Sequence, residues 1–555
     1  MGSLAYFLDI KLRKLLLLCI MKDTEYGIFL RRGNTMEKLN TIYERNKKWL
    51  FFSLISVFVW GMMAHGYCFV DNNLSHDSLN EFHAQIFGNE WKIQLGRVFV
   101  PLYRDLLRSD VTMPWLIGIL SLLWIGLSVF LVVKIFNIKS KLTVFLTAGV
   151  FATNISVSAV AATYVNDLDN NMFALLLAVL AVCLWRRMRW GAVLGAVCVA
   201  GSLGLYQSYI LVAVTLVMIA SIMDLFRDAK WQDVFFKGLK AIGMLLAGGV
   251  LYYIAMKAIV ASSGVKLNSG DYNSLDAALQ LSPSNILTLV AGAYQDCCTR
   301  LMQAYSTYPS ILVKAMTLMM LLLAAAAVLV WLCGKKTGLG EKILGMVLIL
   351  LLPLGMNLIY VLVIGASHDL MVFALWLFYL LLLLLTEWLV QQWQGMGKKE
   401  QLAQCIRVLS LLLVLATVYG SVQFANGLYM KKELEYDGYF SLMTRIVDRM
   451  EDEEGYIPGQ TPVVFVGMPS NKNGMIPGFL EYWNVIGAMS TDVIYMPEKT
   501  RYQAYFDYVL NTPMLLAEDD PWMTLRDSQL AKEMSPYPAA NCIAWQDGTM
   551  IVKLG

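Results

Sequence analysis

The sequence predicts an all-α polytopic membrane protein of about eleven transmembrane helices, followed by a small α/β domain at its C-terminus. Three observations predict it. Of the 555 residues 58% are apolar and only 15% charged, whereas soluble domains carry about a quarter charged residues. The apolar residues gather in runs of about 18 or more, enough to cross a hydrocarbon core of roughly 30 Å as helices. Such helices satisfy their own backbone hydrogen bonds, which lipid does not do. After about residue 430, acidic and polar residues return and Pro and Gly become frequent. The net charge of +3 provides no global field for nucleic acid, which is excluded as a partner.

Residues 1–44 read as a cytoplasmic N-terminal segment. Its stretch KLRKLLLLCIM at 11–21 is too short to span and has no small-residue cleavage site. Met36 opens a more ordinary membrane-protein start, so 1–35 read as an upstream extension or an interfacial helix. The transmembrane domain is expected over 45–430, with spans near 49–66, 114–135, 142–162, 168–185, 190–207, 209–225, 239–261, 311–333, 343–365, 369–390 and 407–426. One set of connections is basic: RNKK at 45–48, KIFNIKSK at 134–141, RRMR at 186–189, 227–240, 334–342 and 397–399. These alternate with connections nearly free of Lys and Arg. The basic set is therefore cytoplasmic, and an odd number of spans places the tail outside.

The outer connections gather the polar chemistry. The first, 67–113, reads as one or two interfacial amphipathic helices anchored by Trp91, Phe99 and Tyr103. The second is acidic, TYVNDLDNN at 163–171; the third is a turn around YQSY at 206–209; the fourth is long, 262–310; the fifth is ASHD at 366–369. Of the nine cysteines, Cys183, Cys198 and Cys333 fall in apolar runs and Cys297 and Cys298 in the fourth outer loop. No metal spacing or disulfide framework appears, and these read as inert thiols. Residues 431–555 form the soluble domain. There 439–450 has helical periodicity, TPVVFVG at 461–467 reads as a buried strand, and 541–554 as a hairpin around Asp547-Gly548.

Candidate functional residues share the outer side. Asp71, His76 and Asp77 follow the first span; a carboxylate at a membrane face can serve as a general base, or it caps a helix. Asp167 and Asp169 form a second acidic pair, with Asp169 also suited to an N-terminal helix position. Arg97 stands in the apolar stretch LGRVFVP, where a guanidinium binds phosphate or snorkels. Tyr206, Gln207 and Tyr209 suit sugar hydroxyls, or an aromatic belt. His368-Asp369, at the outer end of a span, binds substrate or merely ends a helix, and Lys257 and Lys314 lie near the outer halves of spans, where they pair with phosphate or snorkel. An outer cavity lined by carboxylates and Arg97 fits a lipid phosphate better than an ion pathway, because the spans are largely free of ionisable residues.

The order and spacing of five segments over about 45–430 resemble the Gtr type II glucosyltransferases of O-antigen modification. They are N-x-x-x-HDSL (Asn72 or Asn73, then 76–79), GRVFVPLYRDLL at 96–107, Y-x-x-D-x-D at 164–169, SLGLYQSY at 202–209, and LLPLGMNLIY with SHDLM at 351–371. That family usually has GRW where this chain has Gly96-Arg97-Val98. The resemblance implies a GT-C-like glycosyltransferase of the bacterial cytoplasmic membrane. It would pass a sugar, glucose by family default, from a polyprenyl-phosphate carrier to a glycan or other cell-envelope acceptor. Carried onto this sequence, Asp77 is the leading catalytic carboxylate with Asp71 beside it, and Asp167 and Asp169 are the second acidic site. Arg97 is assigned to the carrier phosphate, and His76, Tyr164, Tyr206, Gln207 and His368 to substrate. Four carboxylates on one side allow a divalent cation, although no ligand spacing establishes one. Two other readings compete: a transporter or flippase of a lipid-linked glycan, which would need repeats or broken mid-membrane helices, and a non-catalytic anchor for the C-terminal domain.

Overall fold

The computed structural model describes residues 35–71, 84–268, 285–304, 310–334, 337–467 and 499–555. Among them, ten helices are long and apolar enough to cross a membrane. The transmembrane part comprises α1 (Thr35–Val70), α2 (Ala84–Gln94), α3 (Val100–Leu107), α4 (Pro114–Phe136), α5 (Lys141–Thr153), α6 (Ile155–Thr163), α7 (Leu168–Arg187) and α8 (Gly191–Leu205). It continues through α9 (Ile210–Phe226), α10 (Trp231–Ser263), α11 (Ile286–Gln303), α12 (Ile311–Leu332), α13 (Leu339–Met356), α14 (Leu358–Leu362), α15 (Leu377–Gln392) and α16 (Lys398–Glu451). The apolar runs become helices because in lipid each backbone donor needs a partner within its own segment. Local residues fix their ends. Pro114 opens α4, where a missing N–H does no harm. The Ser140 hydroxyl caps α5 by accepting from Thr143 N at 3.3 Å.

Eleven spans were expected, and the fifth of them differs. Helix α8 has 15 residues, so it is roughly 22 Å long against a core of roughly 30 Å. It runs from the basic end and stops short, and the 3-10 turn Gln207–Tyr209 sends the chain back as α9. A second difference is that the span Lys141–Thr163 is broken within the apolar interior. Asn154 separates α5 from α6: its Oδ1 accepts from Ser156 N and Val157 N at 3.1 and 3.3 Å, and its Nδ2 donates to Val150 O at 2.9 Å. Third, Cys297 and Cys298 lie on helix α11 rather than in a loop.

The basic connections do share one end of the bundle. Lys134 Nζ reaches Asn46 Oδ1 at 2.5 Å, Arg187 Nη2 reaches Lys134 O at 2.6 Å, and Arg186 makes two bonds to Asp224, at 2.9 and 2.5 Å. Arg407 reaches Ser140 Oγ at 3.2 Å. Helices α4, α7, α9 and α15 form the packed centre, while α10, α12 and α13 leave most of their surface uncovered, as lipid-facing helices do.

Helix α16 runs unbroken for 54 residues into the C-terminal unit. There β1 (Pro462–Val466), α17 (Lys499–Tyr505), β2 (Leu515–Leu516), α18 (Asp519–Arg526), α19 (Gln529–Glu533), β3 (Ile543–Gln546) and β4 (Thr549–Lys553) follow. The sheet order is β2-β1-β4-β3, with β1 parallel to both neighbours and β3–β4 antiparallel. Val463, Val464 and Phe465 are buried, which is why that strand reads as a continuous apolar run. Asp547 and Gly548 both take positive φ, 52° and 73°, as a two-residue hairpin turn requires. One residue of the transmembrane part joins this core: Val165, in the connection between α6 and α7, packs with Tyr439, Met443, Tyr505 and their neighbours.

Candidate functional site

At the end of the bundle opposite the basic loops, two buried charge clusters form. The first is built by α2, α3 and the 3-10 turn Val165–Asp167 that leads into α7. Asp167 receives three cations: Lys92 Nζ at 2.7 Å and Arg97 Nη1 at 3.2 Å on Oδ2, and Arg104 Nη2 at 3.0 Å on Oδ1. Asp169 Oδ2 takes Arg108 Nε at 2.7 Å, and its Oδ1 accepts from Asn170 N at 3.0 Å. Arg108 Nη2 also holds Asn166, by the backbone O at 2.6 Å and the side-chain Oδ1 at 3.0 Å. Spacing explains the convergence. Arg104 and Arg108 are four apart on one face of the short α3, and Lys92 closes the last turn of α2.

Arg97 is placed by a backbone device. Gly96 takes φ 74°, a conformation that L side chains resist. Its carbonyl accepts from Tyr252 Oη at 2.9 Å, and Leu95 O accepts from Gln207 Nε2 at 2.9 Å. Phe99 N donates to Gly204 O at 2.9 Å, and a Cβ at Gly204 would meet Phe99 at 2.2 Å. The loop is thus pinned over the C-terminal end of α8. The Arg97 guanidinium lies 4.6 Å from the Tyr206 ring centroid, a cation–π arrangement. Its side chain is 15% exposed, and its Nε has no partner among the described residues. Tyr103 accepts from Trp124 Nε1 at 2.9 Å, and burial, joined by the nearby Asp169 carboxylate, pushes its phenol upward so that it stays protonated.

In ion pairs among the described residues, four cations here meet two carboxylates. Asp110 is buried too, but takes Asn89 Nδ2 at 3.3 Å. Lys92, Arg104 and Arg108 were not singled out in the sequence. The signal was available: an outer loop with four cations within 92–108 runs against the positive-inside rule unless those cations are paired internally.

The second cluster joins α11 to the chain before α15. Arg300 binds Asp369 through Nη1, Asp296 Oδ2 through Nε at 2.8 Å, and Ser367 O and Oγ through Nη2 at 3.0 and 3.2 Å. Asn357 Nδ2 donates to Asp296 Oδ2 at 2.9 Å and to Ala293 O at 3.0 Å. Asp369 O accepts from Ser156 Oγ at 2.6 Å, which accepts from Trp376 Nε1 at 3.1 Å. Burial pushes the Asp369 carboxyl up to about 6, with Arg300 opposing.

Of the residues predicted from sequence, Arg97, Asp167, Asp169, Tyr206 and Gln207 come together in the first cluster. Asp167 and Asp169 stand there as ion-paired anchors, and the amide of Gln207 is engaged with the 95–97 backbone. Tyr164 caps α6 and accepts Asp167 N on its carbonyl at 2.8 Å. Asp71 follows the last residue of α1, its N donating to Tyr67 O at 3.0 Å. His368 belongs with the second cluster. Lys257, over the Tyr253 ring at 5.6 Å, and Lys314 are on the exposed periphery. His76 and Asp77 lie outside the described residues. Among the described residues no three His, Cys, Asp or Glu side chains gather as metal ligands.

No curated protein and no solved structure matches the chain. A family of known sequences does match, over residues 66–386, a stretch that contains both clusters and every segment that carried the resemblance. The match covers more than half of a multi-span chain, and the chain belongs to the family Glucosyl transferase GtrII.

Proposed function

We propose that this glycosyltransferase moves a hexose, glucose by its family, from a polyprenyl-phosphate carrier to a cell-envelope glycan at the outer face of a bacterial cytoplasmic membrane. The observation that carries the reading is Arg97, partly exposed beside Tyr206 and with its Nε unpartnered among the described residues. A guanidinium with an open N–H suits a phosphate. The positive-inside rule puts the basic end in the cytoplasm and this cluster outside. The C-terminal domain, packed on Val165, then lies outside as well.

In the proposed reaction the acceptor hydroxyl oxygen attacks the anomeric carbon on the face opposite the carrier. The C–O bond to phosphate breaks as the new glycosidic bond forms, and the configuration inverts. Asp77, supported by Asp71, takes the hydroxyl proton, and the released phosphate is held by Arg97. Asp167 and Asp169 keep the cations in place. Nucleotide is not needed, because the sugar arrives already activated on lipid. The test is transfer from labelled polyprenyl-phosphate glucose by the purified protein. Transfer that disappears in Asp77→Asn, with normal accumulation, supports the assignment; normal transfer by that variant removes Asp77 from it.

The break at Asn154 within a span favours a second reading, a transporter of lipid-linked glycan. The same assay separates the two, since a pure transporter releases no transferred sugar.

A further inference from the structure

The second cluster contains two acceptor atoms without donors. Asp369 is 4% exposed and Asn357 fully buried. Asp369 Oδ2 and Asn357 Oδ1 have no hydrogen-bond partner among the described residues. The amide orientation at Asn357 is fixed by its network, because its nitrogen faces two acceptors, Ala293 O and Asp296 Oδ2. Orphaned buried acceptors are costly and call for a ligand or water that brings donors. Arg300 does not supply them, because its Nε, Nη1 and Nη2 already serve Asp296, Asp369 and Ser367. Two carboxylates against one guanidinium also leave a negative surplus, which repels phosphate. Hydroxyl groups of a neutral ring meet both conditions.

Trp376, tied to the cluster through Ser156, also lines a narrow crevice with Thr153, Asn154, Tyr379, Thr417 and Ser421. A row of rings leads from here to the first cluster: Phe373 to Tyr209 at 5.6 Å, Tyr209 to Tyr206 at 5.7 Å, then Arg97 over Tyr206 at 4.6 Å. The three steps together span at most about 16 Å, a separation that a donor sugar at Arg97 and an acceptor ring laid end to end bridge.

We infer that the Arg300–Asp296–Asp369–Asn357 cluster is a sugar subsite, which hydrogen-bonds ring hydroxyls of the acceptor glycan while the Arg97 cluster holds the donor's phosphate. The inference rests on the transfer reading above. Its test uses the full-length protein in lipid nanodiscs and saturation-transfer NMR with methyl α-glucoside, methyl α-rhamnoside and methyl N-acetyl-α-glucosaminide. At least one hexoside should give a signal that falls at least five-fold in Asp369→Asn and in Asn357→Ser and persists in Arg97→Ala. Asn357→Ser leaves the Arg300–Asp369 pair in place, so a fall there is not a folding defect if the variant melts as the wild type does. No signal from any hexoside in the wild type, or signals unchanged in both variants, would mean that the cluster holds water only. Transfer from polyprenyl-phosphate glucose is measured on the same preparation. Its absence beside a sensitive hexoside signal would sink the transfer reading and leave a sugar site without that role.

Discussion

The two buried clusters at one face of this membrane protein are built from the same residue types with opposite balance. Around Asp167, four cations meet two carboxylates; around Arg300, one cation meets two. In the first, both oxygens of each carboxylate are engaged and a guanidinium nitrogen is open. In the second, every guanidinium nitrogen is engaged and a carboxylate oxygen is open. The difference teaches that identity alone does not assign a role. A buried Asp inside a cation cage is an anchor, whereas a buried Asp with a spare oxygen is an acceptor waiting for a donor.

The strongest way to break this comparison is to remove the anchor. Asp167→Ala leaves three cations without their shared partner, and loss of one side of a buried pair costs about 3–5 kcal/mol. The variant should melt far below the wild type in detergent, and a second change, Lys92→Met, should recover part of the loss. A neutral effect of Asp167→Ala would show that the cage does not depend on it. Next, Arg97→Ala removes the open cation but none of the shared bonds of Arg104 and Arg108. Transfer should fall on the order of 10²-fold while the melting temperature changes little; a variant that transfers normally would deny Arg97 the phosphate.

The second cluster predicts a pH effect. Asp369 faces Arg300 and Asp296 on α11 and neighbours His368, whose imidazole burial pushes downward. With the Asp369 carboxyl near 6, its charged, hydroxyl-accepting form prevails above that pH and is lost as pH falls through it. Acceptor affinity should therefore drop on acidification, and Asp369→Asn should lack that limb; the same limb in the variant would assign it to His368 instead. The smallest expected effect concerns the buttress. Val165→Ala removes two methyl groups from the C-terminal core beside Asp167 and should cost about 1.5–2.5 kcal/mol, read as a modest shift in melting. No shift would mean that the contact contributes little.

Much of the architecture was legible in the sequence because lipid imposes simple rules. Apolar run length gave the helices, and Lys and Arg in connections sorted the two ends, as the contacts of Lys134, Arg186 and Arg407 bear out. The Asp547-Gly548 turn and the VVFV strand followed from local backbone preferences. What was not legible depended on contacts between distant segments. Lys92 and Arg104 lie 75 and 63 positions from Asp167, so no local pattern links them, and Asp167 and Asp169 read as free acids. The Arg300 cluster was missed for the same reason, although Asp296 and Arg300, four apart on one helix, were a local hint. Gly191–Leu205 was counted as one of eleven spans, and it is a shorter apolar helix of 15 residues, because composition reports hydropathy and not where a helix stops.

The unbroken α16 has a mechanical consequence. At 54 residues it is a rod of roughly 80 Å, rooted at the basic end and carrying the sheet domain on its far tip without a joint. A cap mounted on such a mast does not swing aside by itself. It moves with the helix that carries it, and its contact at Val165 is held by the same rod.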